Sequence, residues 1–228
     1  MHKDFLLPTE FIDSDSQEVR KFALEAVNGA QTQREKAVRL YYAVRDGIYY
    51  DPYRIEPTRH GFKASTILKQ GYGYCVAKAI VLAAALRAEG IACRLHFADV
   101  RNHLTAARLK ELMQTDTFYY HGYNDIFLDG RWIKVTPTFN LSLCEKFRVK
   151  PLDWDGTNDA IFHPFDLEGR RHMEYITDHG FFADVPFDAI INTFATCYGN
   201  KSELYAEHLR RTGDFAQEGE QEAQKEKS

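Results

Sequence analysis

A fifteen-residue run, VAKAIVLAAALRAEG, constrains the fold of this chain more than any other feature. Its apolar residues lie on most of the circumference of a helix and are interrupted mainly by Lys78 and Arg87. A helix of this kind has to be covered by other elements on nearly every side. We therefore expect a buried, central helix that begins at or next to Cys75. It should end at Gly90, because glycine suits the position just after a helix.

The residues before this run, GYGYC, raise the question of what Cys75 does. The thiolate is the nucleophilic form of cysteine, and a helix N-terminus or a neighbouring imidazolium lowers the thiol pKa. Gly71 and Gly73 allow close approach of the chain or a ligand, and the first N–H groups of a helix can stabilise an oxyanion. Cys75 is thus a candidate nucleophile. The alternative is a packing role, since free cysteine is among the most buried residue types.

Two β-rich segments, FYYHGYNDIFL and RWIKVTPTF, flank Asp129–Gly130. Asp-Gly between two such segments is typical of a two-residue hairpin turn. The hairpin register places Leu128 opposite Arg131 and brings a set of polar residues onto one face of the sheet. That face carries His121, Tyr123, Asp125, Lys134, Thr136 and Thr138, with Tyr123 opposite Thr136 and His121 opposite Thr138, and also Asn140 if the strand continues. His121 is therefore a candidate general base for Cys75.

Together these segments resemble the transglutaminase-like cysteine enzymes. GYGYCVAKAIVLAAALRAEGIACR is similar to the nucleophile helix and following strand of that family, and YHGYNDIFLDGRWIKVTPT is similar to its histidine hairpin. The resemblance covers roughly residues 45–140. It implies an α+β, papain-like fold with the cysteine helix packed on an antiparallel sheet. It also implies acyl transfer by a Cys–His–Asp triad, whether as transamidation, amide hydrolysis or peptide cleavage.

The chain departs from the family pattern at one position. The family has Asp-Pro on the second strand of the hairpin, and this chain has Thr136–Pro137. A hydroxyl can accept a hydrogen bond from an imidazole N–H but brings no charge. Asn140 is an alternative orienting residue, because Cys–His–Asn is a working set. Asp125 is too far along the strand from His121 and is expected to pair with Lys134 instead.

Composition excludes several classes of protein. A formal net charge of −4 over 228 residues favours neither nucleic acid nor membrane as a partner. We expect no signal peptide and no transmembrane helix, and hence a cytoplasmic protein. The four cysteines form no CxxC pair and are expected to be reduced, with Cys93, Cys144 and Cys197 structural. No nucleotide-binding or zinc motif is present, and the three histidines of HPFDLEGRRHMEYITDH fit no standard ligand spacing, so we expect no cofactor and no metal.

The leading hypothesis is a cysteine-dependent acyl-transfer enzyme with Cys75, His121 and Thr136 as its catalytic residues. Tyr74 and Tyr120 adjoin two of them and are expected to shape a pocket for a small amide, ester or peptide-like substrate. A catalytically inactive member of the same fold, used for binding or as a scaffold, is the alternative. A further alternative is a cysteine enzyme that hydrolyses a bond other than an amide. One domain is expected over residues 1–212, followed by a polar, disordered tail at 213–228.

Overall fold

The computed structural model describes residues 2–103, 107–198 and Phe215. Its secondary structure mixes helices with one main antiparallel sheet. The helices are a short 3-10 helix (Lys3–Phe5), α1 (Gln17–Ala26), α2 (Gln33–Gly47), α3 (Ala64–Gln70), α4 (Cys75–Ala88), α5 (Ala107–Met113), α6 (Leu141–Phe147) and α7 (Phe187–Cys197). The strands are β1 (Tyr49–Tyr50), β2 (Tyr72–Gly73), β3 (Cys93–Asn102), β4 (Thr117–Leu128), β5 (Arg131–Val135) and β6 (Met173–Phe182).

Helix α4 lies at the centre of the molecule, as its sequence predicts. Every residue from Cys75 to Arg87 is buried between the sheet and helices α1, α2 and α3. The two cations in the helix are buried as hydrogen-bond donors to main-chain carbonyls. Lys78 Nζ donates to the carbonyls of Arg45 at 2.8 Å and Ile48 at 2.7 Å, near the end of α2. These hydrogen bonds therefore connect neighbouring segments to the central helix, which stays buried.

The main sheet has the order β5–β4–β3–β6, and every neighbouring pair is antiparallel. The predicted hairpin is confirmed from Leu128↔Arg131 to Asn124↔Val135. Beyond Val135 the prediction is wrong, because β5 ends there and neither Thr136 nor Thr138 pairs with β4. The Thr136 N–H donates to the Ala160 carbonyl at 2.8 Å instead, and Pro137 has no N–H to continue a ladder. The chain thus leaves the sheet at the position where the family pattern has its acid.

The segment after α6 covers the face of the sheet opposite α4. Two side chains of α2 hold it: the Tyr41 hydroxyl donates to the Leu152 carbonyl at 2.7 Å, and Arg45 donates to the same carbonyl at 3.0 Å. This attachment brings Phe162 over the sheet. A small apolar cluster forms there, comprising Val100, Leu152, Phe162 and Met173. The face of the sheet opposite α4 is consequently covered around Phe162.

Most of the predicted tail, residues 213–228, lies outside the described residues. Phe215 is the exception, and its buried ring packs against Tyr50, Tyr53 and Phe147. Among the helices that the structure describes, none combines the length and the apolar character needed to cross a bilayer.

Candidate active site

Cys75 is the first residue of α4, as the sequence predicts, and follows Tyr74, which has extended backbone. The start of the helix packs directly on β4 at Gly122, the residue after His121. A Cβ at Gly122 would lie 3.0 Å from Val76 Cα, so a larger residue would push helix and strand apart. Glycine at this position therefore brings the backbone beside His121 against the start of α4.

This contact determines the surroundings of the Cys75 sulfur. Burial raises the pKa of the thiol to about 11, and the N–H groups of Gly122, Val76 and Cys75 itself lower it in part. The side chain is 6% exposed. The N–H groups are arranged to stabilise a thiolate, but desolvation outweighs them, so the resting thiol is protonated at neutral pH.

His121 lies on β4, enclosed by aromatic rings. The centroid of its ring is 4.7 Å from that of Phe162, 6.1 Å from Tyr123 and 6.3 Å from Tyr175. Burial lowers the pKa of His121 to about 3, so the imidazole is neutral. Its Nε2 atom is buried without a hydrogen-bond partner among the described residues. A general base needs a nitrogen that is free to accept a proton, and an unpaired buried Nε2 meets this requirement.

A β-bulge directly before His121 orients its side chain. The pairing of β3 with β4 shifts between Ala98↔His121 and Val100↔Phe118, and Tyr120 has a positive φ of 53°. Non-glycine residues seldom adopt this left-handed conformation. The Asp99 carboxylate accepts a hydrogen bond from the Tyr120 N–H at 3.1 Å and thus stabilises the bulge. Bulges often redirect side chains next to active sites.

Thr136 is fully buried, and its main chain is fixed on both sides. Besides the bond from its N–H to Ala160, its carbonyl lies 3.2 Å from the Tyr41 hydroxyl. Its own hydroxyl has no hydrogen-bond partner within the described part of the chain. The Thr136 hydroxyl is therefore held near the site but does not bond to His121 in this structure.

Asn140, the alternative orienting residue, serves a different contact. Its amide oxygen accepts from the Tyr50 N–H at 3.2 Å, and its Nδ2 donates to Ser142 Oγ at 2.7 Å. Both ends of the amide are engaged at the junction of β1 and α6. The Asn140 side chain is therefore engaged with Tyr50 and Ser142 in this structure.

The two candidate pocket tyrosines have different surroundings. Tyr74 is buried and lines a cleft together with Phe62, Tyr72 and Gln70. Tyr120 is half-buried, and its ring stacks on His179 at 4.3 Å. Tyr74 thus borders a cleft whose lining includes neither Cys75 nor His121, whereas Tyr120 belongs to the bulge directly before His121.

The expected pairing of Asp125 with Lys134 is wrong at the level of the side chains. The two residues are opposite each other in the ladder, but the Asp125 carboxylate binds Arg94 at 2.8 Å and His96 at 3.1 Å on the other neighbouring strand. Lys134 Nζ lies 5.7 Å from the centroid of the Tyr123 ring. The buried Asp125 carboxylate therefore pairs with Arg94 and His96, which are buried beside it, because a buried charge needs a charged or hydrogen-bonding partner.

Tyr175 on β6 is the residue that sequence reasoning missed. Its hydroxyl lies beside that of Thr136, which lowers the Tyr175 pKa, and within electrostatic reach of Cys75. The segment around it shows no clean periodicity in sequence. Only the pairing of β6 with β3 brings it to the site. A tyrosine in an irregular segment carries no local signal that could have identified it.

A comparison with protein-family models adds an independent observation to this geometry. Residues 20–137 match the transglutaminase-like superfamily, which is just over half of the chain. The chain belongs to the transglutaminase-like superfamily. The match includes Cys75, His121 and Thr136, and it agrees with the resemblance inferred from the sequence motifs.

A solved structure with a TM-score of 0.50 supports the same fold for this transglutaminase-like chain. A proposed cysteine protease from Cytophaga hutchinsonii superposes with a TM-score of 0.50 at 16% identity, over 83% of this chain and 49% of that protein. A proposed protease from Parabacteroides distasonis aligns with a TM-score of 0.37 at 18% identity, over 55% of this chain and 25% of that protein. The chain therefore spans about half the length of the Cytophaga protein. No curated protein matches it in sequence.

Proposed function

We propose that this protein is a cysteine-dependent acyl-transfer enzyme that acts on small amide, ester or peptide-like substrates. One observation carries the proposal: the Cys75 thiol, at the N-terminus of the central helix, lies against the backbone N–H of the residue that follows His121. A nucleophile, a nearby base and oriented N–H donors are the groups that acyl transfer requires.

The first half of the reaction follows from the resting ionisation of the pair. Because both groups are neutral, His121 accepts the thiol proton while the sulfur attacks the carbonyl carbon. The carbonyl electrons move to the oxygen, and a tetrahedral intermediate forms beside the N–H groups of the helix start. The imidazolium then gives its proton to the leaving amine or alcohol, which leaves a thioester on Cys75.

Release of the acyl group repeats these steps with a second nucleophile. Water or an amine gives a proton to His121 and attacks the thioester carbon, and the sulfur leaves and regains the proton. Water yields a carboxylic acid, and an amine yields a new amide. Thr136 is proposed to accept the other imidazole N–H with its buried hydroxyl, which lies beside the hydroxyl of Tyr175.

The substrate class follows from the proposed chemistry, because a thiol nucleophile with a base attacks a carbonyl carbon that carries an amine or alcohol leaving group. Amides, esters and peptide bonds share this arrangement. The cleft lined by Tyr74, Arg54 and Gln70 includes neither Cys75 nor His121, so it does not distinguish among these substrates. The name of the Cytophaga protein, a proposed cysteine protease, agrees with a peptide-like substrate.

Acylation of Cys75 tests the proposal. The protein is treated with p-nitrophenyl acetate at pH 7, and the acetyl adduct is mapped by mass spectrometry in wild type, His121→Gln and Cys93→Ser. We expect acetylation at Cys75, slower by at least about 100-fold in His121→Gln, because general-base catalysis is typically worth 10²–10⁴. Cys93→Ser should react like wild type. Acetylation of Cys75 no faster than that of the other cysteines would contradict the proposal.

A second candidate function, an inactive fold used for binding, is favoured by the enclosure of the pair. Cys75 is only 6% exposed, and no hydrogen bond joins its thiol to His121 Nε2. This candidate predicts that wild type and His121→Gln acetylate at the same slow rate. The same experiment therefore separates the two functions.

A further inference from the structure

Tyr175 occupies a constrained position on β6. It is opposite Val100 of β3, and the register then shifts so that Thr177 is opposite Asp99, which leaves Ile176 as an extra residue. Its ring contacts the edge of His121 at 6.3 Å and that of Tyr123 at 6.0 Å between centroids. The ring is half-buried, whereas the hydroxyl is completely buried. The hydroxyl consequently points into the protein and toward the site.

The Tyr175 hydroxyl oxygen lies close to two donors, the Thr136 hydroxyl and the Phe162 backbone N–H, but the hydroxyl proton has no acceptor among the described residues. Burial raises the pKa of Tyr175 to about 12, while the Thr136 hydroxyl and the Phe162 backbone lower it and Cys75 raises it. The Thr136 hydroxyl, the Phe162 backbone and the Cys75 thiol are therefore the neighbours of the Tyr175 hydroxyl. At neutral pH the group keeps its proton and can donate it in a hydrogen bond.

An unpaired buried donor is rare in folded proteins and calls for an explanation. Two buried acceptor atoms nearby, His121 Nε2 and Thr136 Oγ1, do not accept the Tyr175 proton, because neither has a hydrogen-bond partner among the described residues. The N–H groups of Gly122, Val76 and Cys75 are directed at the sulfur. A substrate carbonyl attacked by this sulfur would bring an acceptor oxygen into the same space.

We propose that Tyr175 is a catalytic residue whose hydroxyl donates a hydrogen bond to the substrate carbonyl oxygen as that oxygen becomes an oxyanion. The proposal rests on the acyl-transfer function proposed above. In the step concerned, the sulfur–carbon bond forms, the carbonyl electron pair moves to oxygen, and the thiol proton passes to His121. Tyr175 keeps its proton and stabilises the negative charge.

The test compares two reactions of Cys75 in Tyr175→Phe. Acetylation by p-nitrophenyl acetate passes through an oxyanion, whereas alkylation by iodoacetamide is a displacement at carbon without one. We expect acetylation to slow by about 100-fold, the typical loss of one oxyanion donor, and alkylation to stay within about twofold. Tyr119→Phe is the matched control, because it removes a hydroxyl from a tyrosine of β4 that packs on Tyr198, and it should change neither rate by more than about twofold.

Thermal unfolding provides a second readout. Tyr175→Phe keeps the ring and removes a hydroxyl whose proton has no acceptor, so its unfolding midpoint should fall by no more than about 4 °C, the shift expected for one lost hydrogen bond. A loss of acetylation by about 100-fold at nearly unchanged stability is not what a packing role would produce.

The outcomes separate this proposal from the proposed function. If wild type does not acetylate Cys75, both fall. If wild type does so and Tyr175→Phe is equally fast, only the role of Tyr175 is overturned. Equal slowing of acetylation and alkylation also overturns it, because the hydroxyl would then act on the thiol.

Discussion

At the scale of single residues, the site combines a neutral thiol, a neutral imidazole and a hydroxyl in place of an acid. The pKa of Cys75 is raised and that of His121 is lowered, in both cases mainly by burial. A carboxylate at Thr136 would favour the imidazolium, whereas a hydroxyl leaves both groups uncharged. The substitution therefore lowers the cost of burying the pair and makes proton transfer part of the attack.

Restoring the acid should change this balance. In Thr136→Asp, the carboxylate should raise the His121 pKa and increase alkylation of Cys75 by iodoacetamide at pH 7 by about tenfold. The buried charge should also lower the free energy of unfolding, by about 1–3 kcal/mol. Alkylation rates and urea unfolding measure both effects.

Thr138→Asp is the matched control for that prediction. Thr138 lies two residues further along and is also buried with an unpaired hydroxyl. It should lose stability without a comparable gain in rate. Equal gains in both variants would mean that the position of the acid is unimportant.

The buried imidazole should also make stability depend on pH. An unfolded histidine binds a proton near pH 6.5, but folded His121 does so only near pH 3. Between these values the unfolded state holds more protons, so the free energy of unfolding should fall as the pH falls. One such group contributes up to about 1.4 kcal/mol per pH unit.

Urea unfolding from pH 7 to pH 4 measures this slope. His121→Gln should reduce it, and the remainder should include His172, whose pKa burial lowers to about 4. His103→Gln removes a partly exposed histidine that pairs with Glu174 and serves as the comparison. An unchanged slope in His121→Gln would contradict the burial of a neutral imidazole.

At the scale of secondary-structure elements, two bulges meet at Asp99. The first bulge is at Tyr120, where the pairing register of β4 with β3 shifts. The second is at His179 of β6, which has no partner on β3 between the pairs Phe97↔Gly180 and Ala98↔Asp178. The Asp99 carboxylate binds the Tyr120 N–H at 3.1 Å and His179 Nε2 at 2.7 Å. The two extra residues also stack on each other. One side chain thus fixes the strand geometry directly before His121.

Removing that carboxylate should misalign His121. In Asp99→Ala, the left-handed conformation of Tyr120 loses its support, so we expect unfolding free energy to drop by about 1–3 kcal/mol and acetylation of Cys75 to slow by about tenfold. Adding Tyr120→Gly should restore part of the rate, because glycine adopts a positive φ without strain. Acetylation and amide exchange at His121 and Gly122 measure the effect.

Glu174→Ala is the comparison for this experiment. It breaks another histidine–carboxylate pair on β6, between His103 and Glu174 at 3.0 Å, and should leave acetylation unchanged. Failure of Tyr120→Gly to restore any of the rate would show that Asp99 acts by some route other than the bulge.

At the scale of the whole molecule, one apolar core joins helices and sheet. It extends from Phe11 near the N-terminus through α4 and the sheet to Ile190 of α7. The helical side and the covering segment are further joined by Tyr41 and Arg45. A single core of this kind predicts that residues 1–212 unfold as one domain.

The two tryptophans can test this, because they lie in different parts of the molecule. Trp154 packs on Tyr41 of α2, and Trp132 packs on Phe127 in the hairpin. Fluorescence of Trp132→Phe and Trp154→Phe should report, for each variant, a urea transition that coincides with that from circular dichroism. Separate midpoints for fluorescence and circular dichroism would indicate two domains.

The sequence by itself determined the elements whose signals are local. Helix α4 and its start at Cys75 followed from the apolar run, and the hairpin register followed from Asp129–Gly130. Each signal acts over neighbouring residues, through helical periodicity or through the geometry of a two-residue turn. The family and the α+β fold were predicted from the resemblance of these segments to the transglutaminase-like enzymes, and both predictions are confirmed. The cytoplasmic location stays a prediction.

Only the tertiary structure decided what surrounds these residues. Thr136 leaves the sheet because Ala160 takes its N–H, and Tyr175 reaches the site because β6 pairs with β3. These partners are distant in sequence, and no short pattern encodes their meeting. The ionisation of Cys75 and His121 depends on the same contacts, because desolvation is set by everything packed around a group. Local periodicity and turn geometry determined where Cys75 and His121 lie in their elements, and long-range packing determined their charge, orientation and neighbours.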